Sequence, residues 1–177
     1  NNSIVFVKKY WELIYIDMIK EYDREKAVAY AQKWALGANP DFYHFGGIGG
    51  DCTNFISQCL LAGQAEMNYN HNGWFYINSY NRSPSWSGVN FLQNFLLTQN
   101  RIGPFGEIQP LQDLQKGDLI FLRQNPLRFN HSVIISKIQN GQIFVCAHSE
   151  DSLDRPLSSY NFLELQGFHI LGANSSQ

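Results

Sequence analysis

Apolar residues recur every three to four positions through the first half of the chain, then give way to alternating and continuous apolar runs; the change predicts helices followed by a sheet. From Ile4 to about Lys20, the spacing of Val7, Trp11, Ile14 and Met18 fits an amphipathic helix, although Ile4 to Val7 fits a short strand equally well. Between Tyr22 and Leu36, Ala27, Ala31, Trp34 and Ala35 line one face, charges fill the other, and Gly37 supplies a stop. Asn39-Pro40 opens a loop through Phe42, Tyr43, His44 and Phe45. A glycine-rich run, Gly46-Gly47-Ile48-Gly49-Gly50, leads on to Asp51. Asp51 is a preferred N-cap residue, so a helix is expected from Cys52 to about Ala62, with Phe55, Ile56, Cys59 and Leu60 on the face that holds Cys52.

The stretch from Gln64 to Gly88, rich in Asn, Ser, Gly and aromatics, reads as a long ordered loop. Val89 to Gln99 is helical, and Ile102 to Gln115 reads as connection. Strands are expected at Asp118 to Arg123, His131 to Ile138, Gln142 to His148 and Phe168 to Leu171, the middle two joined at a hairpin turn by Asn140-Gly141. Helices first and an antiparallel sheet second is an α+β fold. The expected organisation is an N-terminal extension or helix at 1–21, one domain at 22–172 and a frayed tail at 173–177.

Composition narrows the chemistry. At 177 residues and 44% hydrophobic, the chain supports one substantial core. Its 13 basic and 15 acidic residues provide no field for a phosphate backbone, which argues against a nucleic-acid partner. No apolar run approaches the roughly 20 residues of a membrane span. Three cysteines without a Cys-x-x-Cys pair suit neither a disulfide framework nor a zinc site of the usual spacing, so free thiols, no metal and no cofactor are expected. The absence of an initial methionine suggests a piece of a longer product, from which the compartment is not readable. A monomer is expected.

Cys52 falls at the positive end of a helix dipole, a position that favours the thiolate, the nucleophilic form of cysteine. The hairpin sets Gln139 opposite Gln142 and, by counting back, His131 opposite Glu150 and Val133 opposite His148. That register places His131 and His148 as neighbours on one face, together with Ile135, Phe144 and Cys146. A nucleophilic cysteine needs an imidazole in hydrogen-bonding reach and a third group to orient the imidazole. Cys52, His131 and His148 meet those needs in chain order. Cys59 and Cys146 are read as packing, Asp118 as a turn aspartate, and His44, His71 and His169 as surface or core residues. The loop tryptophans Trp74 and Trp86 suit either a groove wall or a core cover.

Tyr22 and Arg24 before Ala27 and Tyr30-Ala31, the block Asp51-Cys52-Thr53-Asn54-Phe55-Ile56-Ser57-Gln58, Trp74, Trp86, Gly117-Asp118-Leu119-Ile120, Asn130-His131-Ser132-Val133 and Ala147-His148-Ser149 before Asp151 together resemble the bacterial putative amidase domain family. The order cysteine, histidine, polar residue is similar to papain-like cysteine hydrolases and, more distantly, to NlpC-type cell-wall peptidases and CHAP amidases. The likeness covers roughly residues 22 to 160. It implies amide hydrolysis through an acyl-enzyme, with Cys52 as nucleophile and His131 as general base, on a peptide-like substrate such as peptidoglycan. It also implies a secreted or wall-associated setting. His148 and Asp151 compete for the third role. The Cys52 amide is the natural oxyanion donor, with Tyr43 or His44 as the second, and Asp51, Trp74 and Trp86 complete the candidate surroundings. A non-catalytic wall-peptide binding module and an acyltransferase using the same Cys/His pair are the alternatives.

Overall fold

The computed structural model describes residues 19–176, so the helix or strand expected before Lys20 lies almost wholly outside the described residues. The chain folds as α+β. Among the described residues, seven antiparallel strands form one sheet in the order β1-β9-β5-β6-β7-β8, with β4 also paired to β9. The strands are β1 (Ile19–Lys20), β4 (Gly103–Ile108), β5 (Leu119–Arg123), β6 (His131–Gln139), β7 (Gln142–Ala147), β8 (Ser152–Pro156) and β9 (Glu164–Asn174). The helices α1 (Arg24–Trp34), α2 (Cys52–Ala62), α3 (Pro84–Ser87) and α4 (Val89–Leu96) lie between β1 and β4 in the chain, and β2 (Tyr76–Asn78) and β3 (Asn81–Arg82) form a small hairpin in the long loop. No helix among the described residues is long and apolar enough to cross a membrane.

The helices cover one face of the sheet, where Phe55, Ile56 and Leu60 of α2 meet Leu119, Phe121, Ile134, Cys146, Phe168 and Ile170. On the other face Ile120, Leu122, Val133, Ile135 and Val145 lie beneath Leu114, Leu157 and Tyr160. Burial on both sides explains why β5 and β6 read as continuous apolar runs instead of alternating ones. Helix α2 sits at the centre, with every residue from Cys52 to Leu60 buried. A single apolar stripe therefore understates it. Its inward polar side chains are satisfied as buried polar groups must be: Ser57 Oγ accepts the Trp74 indole N–H at 2.9 Å, Asn54 Oδ1 accepts that of Trp86 at 2.8 Å, and Gln58 Oε1 accepts the Tyr30 hydroxyl at 2.7 Å.

Asp118 ties the helical layer to the sheet. Fully buried, it accepts from Arg24 Nη1 at 2.5 Å, the Ile170 amide at 3.0 Å, the Gln115 amide at 2.9 Å and His169 Nδ1 at 2.8 Å. The expected turn aspartate is thus also the partner of an arginine, and His169, read from the sequence as a surface or core residue, is bound to it.

Two expected loops hold strands. The connection at 102–115 contains β4, which pairs with β9 across a register shift at Phe105/Gly106. Two prolines and two glycines over 103–110 disguise the strand, because they suppress the β-branched and aromatic signal on which a strand reading depends. The tail also starts later than expected: Ala173 and Asn174 are buried, paired with Lys20 and Ile19, and the Asn174 amide donates to the carbonyls of Gln99 and Arg101.

Candidate active site

Helix α2 begins at Cys52, as its sequence requires, after a loop whose glycines adopt backbone that other residues resist: φ is +92° at Gly49 and +104° at Gly50. The cap differs from expectation. The Asp51 side chain accepts no backbone amide of the first turn of α2. Its carboxylate turns back instead, with Oδ1 accepting the Phe45 amide at 2.7 Å and Asn54 Nδ2 at 2.9 Å, while Oδ2 faces His148 Nδ1 at 2.6 Å. The Asp51 amide donates to Ser149 Oγ at 2.6 Å. The loop, the helix start and the end of β7 therefore converge on one buried carboxylate.

Cys52 is 7% exposed, with Sγ 3.7 Å from Thr53 Oγ1. Thr53 Oγ1 in turn lies 3.3 Å from Ser132 Oγ. The residue after the cysteine thus touches the residue after His131, and the start of α2 is joined to the start of β6.

His131 opens β6 opposite Leu122. It is 5% exposed, its ring 5.8 Å from that of Tyr160, and Nε2 is buried with no hydrogen-bond partner among the described residues. Burial pushes its pKa down to about 4; the charge of Arg155 adds to the shift and that of Glu150 opposes it. The imidazole is therefore neutral, with a free lone pair or N–H at Nε2.

His148 does not join it. The turn is as expected, with Gln139 opposite Gln142 and positive φ of 53° at Asn140 and 74° at Gly141. A β-bulge between Ile135 and Lys137 then shifts the register by one residue, so that Ile134 meets Cys146. A one-residue slip exchanges faces. Ser132 and His148 consequently face α2, whereas His131 faces Tyr160 on the opposite side. His148 stacks on Phe55 with centroids 4.0 Å apart, and its Nε2 donates to the Trp34 carbonyl at the end of α1 at 2.8 Å. Burial works against its charged form, but the hydrogen bonds to Asp51 and Trp34 and the carboxylate charge outweigh burial and raise its pKa. The ring has an acceptor at each nitrogen, an arrangement that favours the charged form.

The remaining candidates are distributed as follows. Asp151 is exposed in the turn before β8. Tyr43 is 44% exposed, packs on Phe45 and gives its carbonyl to Asn54 Nδ2 at 3.0 Å. His44 stands edge-on to His148, with Nε2 3.7 Å from Asp51 Oδ2. Trp74 and Trp86 are fully buried, with rings 4.9 Å apart against α2, so they cover the core and offer no groove wall. Sequence reading missed the Asp51–His148 pair because it assigned Asp51 to capping. The available signal was an acidic residue directly before the cysteine, in a chain whose expected register gives His148 to His131 instead.

The family model described as Putative amidase domain matches residues 21–171. An uncharacterized protein of Bacillus subtilis (strain 168), YhbB, is 33% identical over 137 residues, covering 75% of this chain and 43% of that protein. A second from the same organism, YjcM, is 26% identical over 146 residues, covering 78% of this chain and 33% of its own length. The chain thus spans less than half the length of these relatives. No solved structure matches it significantly.

Proposed function

The chain belongs to the putative amidase domain family, which points at a general level to hydrolysis of amide bonds, and from that premise we propose a cysteine amidase of the papain-like kind, with Cys52 as nucleophile and His131 as general base. The observation that carries this reading is the 3.3 Å contact between Thr53 and Ser132, which ties the start of the helix that bears Cys52 to the start of the strand that bears His131, whose buried Nε2 has no partner among the described residues.

The neutral His131 ring takes the proton from the Cys52 thiol as sulfur attacks the substrate carbonyl carbon, and the developing oxyanion meets the positive end of α2. The imidazolium then protonates the leaving amine as the C–N bond breaks, which leaves a thioester on Cys52. Water, deprotonated by the same imidazole, attacks the thioester, and departing sulfur recovers the proton. His148, bound to Asp51 and the Trp34 carbonyl, serves by bracing the helix start. Asp151, exposed in its turn, takes no part. The substrate we infer is a peptide-like amide of the bacterial cell wall, on the likeness of the Asp-Cys helix start and His-led strand to NlpC-type and CHAP hydrolases.

The test is hydrolysis of purified cell wall, with products identified by mass spectrometry. Cys52→Ala and His131→Ala should each lose activity by at least about a hundredfold while melting cooperatively. Unchanged turnover in a folded Cys52→Ala protein rejects the mechanism.

A further inference from the structure

Beside the proposed catalytic pair lies a second constellation that the mechanism leaves unused as chemistry. His44 Nε2, Asp51 Oδ2 and His148 Nδ1 come from three separate segments, yet these donor atoms all lie within 4.8 Å of one another. We propose that they form a binding site for a divalent transition-metal cation of the zinc class. The spacing of cysteines, from which no metal was expected, has no bearing on it, because the fold alone assembles these donors.

Three observations support the assignment. For two of the three donors the companion atom is already engaged elsewhere: His148 Nε2 donates to the Trp34 carbonyl at 2.8 Å, and Asp51 Oδ1 is held by the Phe45 amide at 2.7 Å and Asn54 Nδ2 at 2.9 Å. Outer contacts of this kind fix the ring and carboxylate of a metal ligand so that one nitrogen and one oxygen point at the ion. The spacing is close to what is needed. Tetrahedral zinc with ligands near 2.1 Å has donor-to-donor edges of about 3.4 Å. His44 Nε2 to Asp51 Oδ2 is 3.7 Å, and His148 Nδ1 to Asp51 Oδ2 is 2.6 Å, so of these two pairs the latter has to open, by less than about 1 Å, and the two imidazoles lie within 4.8 Å. Finally, the His44 side chain is 42% exposed whereas Asp51 and His148 are buried, which gives an entry path and leaves a fourth position for water.

Two imidazoles and one carboxylate select zinc and its neighbours over calcium or magnesium, which take oxygen ligands. The cation replaces the proton shared by His148 Nδ1 and Asp51 Oδ2, and that proton leaves to solvent. Bound there, the ion pins the loop of His44 to the start of α2 and the end of β7, one residue from Cys52.

The seat of His44 supplies a selective perturbation. A Cβ on Gly46 would collide with the His44 ring, and the φ of Gly46 is not in the left-handed region, so Gly46→Ala displaces that ring without backbone strain. Isothermal titration with Zn2+, and Co2+ absorption spectroscopy, on the whole chain should give one saturable site without thiolate-to-cobalt charge-transfer bands. Both His44→Ala and Gly46→Ala should weaken it about ten- to a hundredfold. The proposal is overturned by the lack of a saturable one-to-one site, by unchanged affinity in both variants, or by a site lost in Cys52→Ser. Neither measurement reads hydrolysis, so failure here and failure of the cysteine mechanism are distinguishable.

Discussion

Acidification should expose the state of His131. Its pKa is pushed from 6.5 to about 4 by burial, and an imidazole depressed on folding is one that the unfolded chain protonates first. Stability from this group is therefore complete above about pH 6.5, falls as the pH drops, and is gone below about pH 4. The full difference of about 2.5 units corresponds to about 3 kcal/mol, of which about 2 kcal/mol is lost between pH 7 and pH 5. For a domain of this size that is a fall of about 4–8 °C in melting temperature. Carboxylates titrate over part of the same range, so the measurement has to be a difference. Denaturant unfolding at pH 7, 6 and 5 should be compared between the wild type and His131→Phe, which keeps a ring against Tyr160 and removes the titrating nitrogen. The wild type should lose about 2 kcal/mol relative to the variant on going to pH 5. Parallel pH dependence of the two proteins refutes a buried neutral imidazole. A wild type that gains on the variant as the pH falls shows an imidazolium instead, the signature of a resting thiolate–imidazolium pair with Cys52.

Two other substitutions test the frame around the site. Asp118→Ala removes the partner of Arg24 and His169 and leaves a part-buried guanidinium uncompensated, with an expected loss of about 3–5 kcal/mol in chemical denaturation; a loss under about 1 kcal/mol contradicts the assigned network. Trp86→Phe keeps most of the ring but leaves Asn54 Oδ1, buried in α2, without its indole donor. It should cost about 1–3 kcal/mol, and a thermal melt indistinguishable from wild type would show that the bond contributes nothing.

Much of the fold was readable from local signals. Asn140-Gly141 predicted its turn because both positions need positive φ, and the apolar runs of β5 to β7 survive any context because they are buried on at least one face. The strands β4 and β8 were not readable. The first is broken by Pro104 and Gly106, and the second, Ser152–Pro156, is mostly polar, so both depend on pairing partners that no local window contains. The site divides in the same manner. A helix start at Cys52 follows from Asp51 and the glycines before it, whereas the allegiance of Asp51 to His148, 97 residues away, is tertiary.

The bulge near Ser136 marks the limit of register reasoning and also explains the site's asymmetry. Counting from the turn remains correct as far as Lys137 opposite Phe144, and fails beyond it, where Ile135 meets Val145. A regular hairpin would put both histidines on one face, against one environment. The extra residue sends His148 to the helical face, where the Asp51 carboxylate and the Trp34 carbonyl raise its pKa, and His131 to the other, where burial without a partner lowers it. Two imidazoles, one opening β6 and one just beyond β7, thereby have their pKa values shifted in opposite directions. One is bound to Asp51 at the helix start, and the other stays neutral and able to accept a proton, which is the state that the proposed general base requires.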